Sequence, residues 1–420
     1  MYQLVLLHVL GPLLFLPTLF YPQVLLLFQT KYTRKRKNKE AKKKNTITRG
    51  VMNLPEDILL QILSWLPAES LIRFKCVCKA WYALLEDQNF ISTHVNNMIN
   101  PIRRNVNAHL LISCRSSMTN KRVISLSRDS SLDRFINQDL PPFFSNNFGQ
   151  IRLIGPCNGI ICLYGYPDQI ALCNPSIGQF KILPPSQVSR PHDIKVRGGD
   201  IGVGFDSKIK DYKVIQILFC ISNQSGLYYH VEIYSLGTDS WRKYDAAVPA
   251  NVMYTNMWSM VYKNETFCWW AQNGNTEVIL SFNMSKEIFQ ETPLPSDIEC
   301  FGGRHRTTRS IVPLNESIAL IVYRMKEKEK IFDVWVMNEL VLGAHEKSTW
   351  TKQLSIGPIS GVERPLGFWK SGELVLENCS RELVLYDRKT KEIKNLGLHG
   401  KRDRLEVLVY YDSIVSVQRV

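Results

Sequence analysis

From about residue 105 onward the chain repeats one pattern: an apolar strand, a polar turn, then a strand with an aromatic or isoleucine that closes on proline or leucine. The units are IALCNPSIGQFKILPP from Ile170, VEIYSLGTDSWRKYDAAVP from Val231, VILSFNMSKEIFQETPLP from Val278, FDVWVMNELVLGAHEKSTWTKQLSI from Phe332 and ELVLYDRKTKEIKNLGL from Glu382. They recur roughly every fifty to sixty residues, a period that marks a repeat architecture. Val, Ile, Tyr, Phe and Trp gather in short runs punctuated by Asn, Asp, Gly and Pro, which marks an all-β region. One such hairpin cannot bury both faces, so successive units must stack. A ring of about six blades is the expected architecture. The runs CNGIICLYG, IGVGFDSKIKDYKVIQIL, SMVYKNETFCWWA, SIALIVYRM and PLGFWKSGELVLE supply its inner strands, and RLEVLVYYDSIVSV is expected to pair with an early strand such as HLLIS and close the ring. A β-sandwich or two stacked sheets is the alternative. Asn174 and Pro175 read as turn formers, and Trp241 and Trp350 as fillers between blades.

Ahead of this region, Leu54 to Phe90 has a helical period. Leu54-Pro55-Glu56-Asp57 is a helix start: proline fits the first turn, and the two acids sit at the positive end of the dipole. Ile58, Leu59, Ile62, Leu63 and Leu66 repeat at three- and four-residue spacing and share a face. Pro67 ends this helix and opens a second, with Leu71, Phe74, Val77 and Cys78 inward. Lys79 to Glu86 is a third, with Trp81, Leu84 and Leu85 inward. About forty residues bury only a marginal core, so a module of this size gains from a partner.

The helical stretch resembles the F-box, in Leu54-Pro55, Ile58, Ile62-Leu63, Leu66-Pro67, Ser70-Leu71, Phe74, Val77-Cys78-Lys79, Trp81 and Phe90. The resemblance implies that Leu54, Pro55, Ile58, Ile62, Pro67, Leu71, Val77 and Trp81 make or support a surface for a Skp-type adaptor, helix faces packing into a hydrophobic groove. Through the adaptor it implies a cullin, and so a role as substrate receptor of a Skp–cullin–F-box ubiquitin ligase, with no chemistry and no cofactor of its own. The β region is similar to the F-box-associated domain of plant proteins, the kelch-like group that includes the S-locus F-box relatives. The shared pieces are Gly155-Pro156-Cys157-Asn158-Gly159, Asn174-Pro175-Ser176, Gly204-Phe205-Asp206 with Asp211-Tyr212-Lys213-Val214, Val334 to Met337 with Ser348-Thr349-Trp350, and Tyr410 to Val417. The double glycine that kelch blades carry is absent; Gly198-Gly199 and Gly302-Gly303 fall in expected loops. The expected fold is therefore α+β and multidomain: a three-helix F-box over residues 52–95, then a propeller-like domain over 105–420. That domain is expected to hold a target protein, and the basic loop of Arg304, His305, Arg306 and Arg309 is the candidate contact, since loops carry function on such scaffolds.

Residues 1–30 contain no charged side chain, and 31–51 form a basic linker: residues 31–49 hold ten Lys/Arg against one Glu, leaving +5 of the net +14 for the rest. The apolar segment is long enough to span a bilayer, with the basic run as its cytoplasmic flank. Pro12, Pro17 and Pro22 interrupt it. The readings are a membrane anchor, upstream sequence translated ahead of a start at Met52, and a signal peptide, which fits poorly because there is no basic n-region and no small-residue cleavage site. The basic run also has the composition of a nuclear import signal. With this charge confined to one segment, nucleic acid is not an expected partner. The ten cysteines show neither CxxC pairs nor Cys/His clusters, as in a reduced cytosolic or nuclear protein. The sequence has no P-loop, GxSxG, HExxH or dinucleotide fingerprint, and Cys157 and Cys162 have no histidine nearby in sequence. Three functional readings follow: ligase substrate receptor, membrane-anchored F-box interaction protein, and adaptor-binding regulator acting without cullin.

Overall fold

A computed structural model describes residues 56–100, 108–115, 122–127, 132–138, 144, 151–165, 169–189, 194–222, 226–249, 251–252, 260–296, 307–338, 349–370, 372–400 and 405–418. The chain divides into two compact units, residues 1–63 and 64–420. The described part of the first is the body of helix α1 (Glu56–Ser64), in which Leu63 is fully buried and Ile58, Leu59 and Ile62 are half-buried. The hydrophobic segment 1–30 lies outside the described residues. Among those described, no helix is long and apolar enough to cross a membrane.

The second unit opens with α2 (Ala68–Lys75), α3 (Lys79–Leu85) and α4 (Gln88–Met98). The strands that follow form six sheets. Blade I holds β1 (Ala108–Arg115), β2 (Arg122–Ser127) and β3 (Phe135–Gln138), and blade II β4 (Ile151–Cys157), β5 (Ile160–Gly165), β6 (Gln169–Asn174) and β7 (Gln179–Ile182). Blade III is β8 (Ile194–Asp206), β9 (Asp211–Ser222), β10 (Gly226–Ser235) and β11 (Ser240–Tyr244). In blade IV, β12 (Asn251–Val252) and β13 (Met260–Lys263) both pair with β14 (Thr266–Asn273), followed by β15 (Thr276–Asn283) and β16 (Ile288–Pro293). Blade V is β17 (Thr307–Leu314), β18 (Ser317–Arg324), β19 (Glu329–Met337) and β20 (Trp350–Ser360). Blade VI is β21 (Val362–Trp369), β22 (Glu373–Asn378), β23 (Glu382–Tyr386) and β24 (Ile393–His399). The last strand, β25 (Glu406–Tyr411), returns to blade I and pairs antiparallel with β1, Leu111 opposite Leu408 and Ala108 opposite Tyr411. This is a six-bladed β-propeller whose ring the C-terminus closes, as expected from the sequence.

The five sequence units are the outer hairpins of blades II to VI. The sixth blade escapes that count because its strands come from the two ends of the domain. The second strands of the blades do not alternate: β5 is buried at all six positions and β18 at six of eight, because a neighbouring blade covers each face. The outer strand β7 does alternate. The core is accordingly a set of layers between blades. Val312, Phe332 and Val334 of blade V pack with Leu374, Leu376 and Val384 of blade VI, and Leu111 and Ile124 of blade I pack with Ile161 and Leu163 of blade II. Between blades III and IV the approach is closer: a Cβ on Gly202 would stand 2.8 Å from the rings of Phe267 and Trp269.

Two sequence expectations change. SIALIVYRM and the IICLYG of CNGIICLYG, expected as inner strands, are the second strands of their blades; Thr307–Leu314 and Ile151–Cys157 pair with them on the inner side. Gly198-Gly199 lies within β8, beside a register shift, and not in a loop.

Candidate functional site

The helical module is organised by its caps. Pro67 is the N-cap of α2, with Glu69 in the first turn and Arg73 and Lys75 in the last, so charge complements the dipole at both ends. The expected third helix ends at Leu85, with Glu86 as its C-cap. A fourth, α4, follows, which the sequence reading did not assign. Asp87 caps it, its Oδ1 accepting from the Asn89 and Phe90 backbone N–H groups at 3.0 Å each. An Asp ahead of an apolar period is the signal that marks such a start. From α4, His94 Nε2 donates to the Leu66 carbonyl at 3.0 Å and Asn97 Nδ2 to Ser64 Oγ at 2.7 Å. Burial lowers the His94 pKa and outweighs the opposing effects of its Leu66 hydrogen bond and of Asp412; the ring is neutral near pH 7.

The structure distributes the expected adaptor residues between surface and support. Leu54 and Pro55 lie outside the described residues. Pro67 is exposed, and Ile58, Ile62 and Val77 are half-buried. Leu71 and Trp81 are buried, at 0% and 2% exposure, and Trp81 meets Phe74 edge-on at 4.8 Å. Leu84, expected inward, is half-buried. On the helices of the second unit Tyr82 is 44% exposed, with Lys75 over its ring and paired to Glu86 at 2.5 Å.

In the propeller the shared motifs meet at ring closure. Asn174 is fully buried, and its Nδ2 donates to the carbonyls of Ser413 and Val415 at 2.9 and 2.8 Å. The Tyr410 hydroxyl lies 2.9 Å from Asn174 Oδ1 and 3.1 Å from the Gly159 carbonyl, its single proton shared between these two acceptors. Ser176 Oγ donates to Asp412 Oδ1 at 3.0 Å and accepts from the Ser413 N–H at 3.2 Å. Gly159 has φ +80°, and a Cβ there would come within 2.1 Å of Ser413 Cβ. A second motif joins blades III and IV: Lys213 Nζ donates to Asp206 at 2.5 Å, Glu287 at 2.6 Å and the Met284 carbonyl at 3.0 Å. The tryptophans tie neighbouring blades at their outer strands. Trp241 Nε1 donates to the Pro184 carbonyl at 2.8 Å and Trp350 Nε1 to that of Pro293 at 2.9 Å.

Of the expected target-contact loop, Arg304, His305 and Arg306 lie outside the described residues. Arg309 is a correction: it sits on β17, 3% exposed, paired with Glu277 of blade IV. The β17 strand forms from TTRSIVPL, whose register against β18 begins at Thr307, so Arg309 joins blades and is not a loop side chain. Trp269 and Trp270 are buried. Cys157 and Cys162 are fully buried thiols; burial pushes Cys157 up to about 12 and raises Cys162 as well, the reverse of nucleophile activation. No group of His, Cys, Asp and Glu among the described residues could hold a metal ion.

Comparison with known proteins agrees with this layout. The family model for the F-box domain matches residues 51–93, and that for the F-box associated beta propeller domain matches 115–412. The chain is 28% identical to F-box protein At3g07870 of Arabidopsis thaliana, covering 86% of this chain and 91% of that one. It is 29% identical to F-box/kelch-repeat protein At3g23880 of the same plant, covering 80% and 88%. An F-box joined to a propeller built in this way indicates a substrate-recognition protein, and the chain belongs to the F-box-associated β-propeller family.

Proposed function

We propose that this protein is the substrate-recognition subunit of a Skp–cullin–F-box ubiquitin ligase. Leu54, Pro55, Ile58, Ile62, Pro67 and Val77 contact the adaptor, and Leu71 and Trp81 hold their helices in place. The propeller binds the target protein, Arg304, His305 and Arg306 remaining candidate contacts. The ligase then acts by proximity, since a tethered target meets the ubiquitin-charged enzyme at high effective concentration. The receptor supplies position and no catalytic group.

The observation that carries this reading is the pairing, in one chain, of an adaptor-type helical module with a closed propeller. The described cysteines are free thiols, which supports a reducing compartment, cytosolic or nuclear. The test is reconstitution of the full chain with Skp adaptor, cullin and RING subunits, read by ubiquitin transfer to proteins captured by the propeller. Transfer that is lost on Leu54→Ala/Pro55→Ala supports the receptor role. Adaptor binding without cullin would instead make the protein a regulatory partner of the adaptor.

A further inference from the structure

Blade III is taller than its neighbours. Its innermost strand β8 has 13 residues and β9 has 12, whereas β4, β17 and β21 have 7, 8 and 8. At ~3.3 Å per residue, about five extra residues lengthen this blade by roughly 16 Å. The hairpin turns at Asp206 and Asp211, so the excess lies at the opposite end, where Ile194 pairs with Ser222. There Lys195, Val196 and Arg197 are all exposed, Val196 by 38%. Consecutive strand side chains point to opposite faces. Lys195 and Val196, ahead of the register shift at Arg197, point to opposite faces and are both exposed, so no described part of another blade covers either face of this segment.

The segment is also a free edge. The sheet runs β11-β10-β9-β8, and no described strand pairs with the edge of β8 opposite β9. Open backbone N–H and C=O groups on such an edge are a template for another strand. Its charge selects which strand. Two of the three exposed side chains are cationic, while Val214 to Tyr229, which supply most of β9 and the start of β10, contain no Asp, Glu, Lys or Arg. Asp200, the next carboxylate along β8, is buried against Arg152 at 2.5 Å and does not offset them. Like charge disfavours pairing of two copies of this edge, and an acidic strand gains where a basic one loses.

We propose that the β8 extension at Lys195–Arg197 captures an extended acidic segment of the target by strand addition, Lys195 and Arg197 pairing with its carboxylates. This rests on the receptor reading and names the chemistry of its target.

The test titrates the full chain, alone and with a Skp-type adaptor, into a fluorescein-labelled peptide of alternating Glu and Val. Two control peptides are the same sequence N-methylated at alternate residues and one with Lys for Glu. The acidic peptide is expected to bind. Both controls, and the Lys195→Glu/Arg197→Glu variant, are expected to weaken binding by about tenfold or more. No binding of the acidic peptide, equal binding of the N-methylated one, or equal binding by the variant overturns the proposal. Adaptor binding, read in the same samples, reports separately on the receptor role: an intact adaptor complex with no peptide binding sinks the strand-addition site alone.

Discussion

Lys213 shows how one side chain can hold two blades. Its ammonium is 6% exposed and lies against Asp206 and Glu287 at 2.5 and 2.6 Å. Burial by itself would raise both carboxyls, but the Lys213 hydrogen bonds, with backbone N–H groups at Asp206 and Arg242 at Glu287, bring both below their ordinary values. Removing one partner of a buried pair leaves the other charge uncompensated. Lys213→Met is expected to cost about 3 kcal/mol, measured by denaturant unfolding. A carboxyl lowered in the folded state contributes stability above its unfolded pKa and loses it as pH falls through the folded one. The melting temperature of the parent chain should therefore fall below about pH 4 through this cluster, and Lys213→Met should flatten that part of the profile. His94 acts in a higher pH window. Its folded pKa is lowered, so its contribution is present above the unfolded value and is lost as pH falls through about 6.5 and below. The protection factors of the α4 amides, which correct for the intrinsic pH dependence of exchange, should fall as pH drops below the ordinary histidine value, and His94→Gln should remove that dependence.

Among the elements, the closing hairpin carries the most consequence. Asn174 sits at the end of β6 and satisfies two carbonyls beyond β25, and Gly159 leaves the space that Ser413 occupies. Asn174→Ala would leave those carbonyls without this donor, and Gly159→Ala would add both a clash and a strained φ. Each is expected to cost about 2–3 kcal/mol in thermal or chemical unfolding. Much of this level was legible in the sequence. The outer hairpins showed as repeats because they alternate and end in polar turns, and the run LEVLVYY identified its partner because a strand with no local mate must close the ring. The interior strands were harder: IICLYG and SIALIVY are apolar on both faces, so periodicity does not say which is innermost. Arg309 read as a loop residue because Gly and basic residues precede it, yet Glu277 on the next blade draws it inward, a contact no local pattern contains. The β8 extension left little trace, because Gly198-Gly199-Asp200 breaks the run of strand-forming residues ahead of the hairpin. The residues proposed for the adaptor show in the sequence as helix faces, but the burial of Leu71 and Trp81 against the exposure of Pro67 is a matter of packing that local pattern does not contain.

At the scale of the whole molecule, each propeller blade is covered by two others and the ring is held by its last strand. Deleting residues 406–420 removes a strand of blade I together with the partners of Asn174, Gly159 and Leu153. The truncated chain is expected to lose cooperative unfolding, seen as a broadened melt. In the proposed role the closed ring is the support for recognition and the helical module its means of attachment. That division of labour is tested most directly by mixing the full chain with a Skp-type adaptor and cullin and measuring complex mass by size-exclusion chromatography with light scattering. The account predicts one complex containing all three, with adaptor affinity reduced about tenfold or more by Ile58→Lys/Pro67→Lys while the propeller melts as before. A folded chain that elutes apart from the adaptor would contradict it.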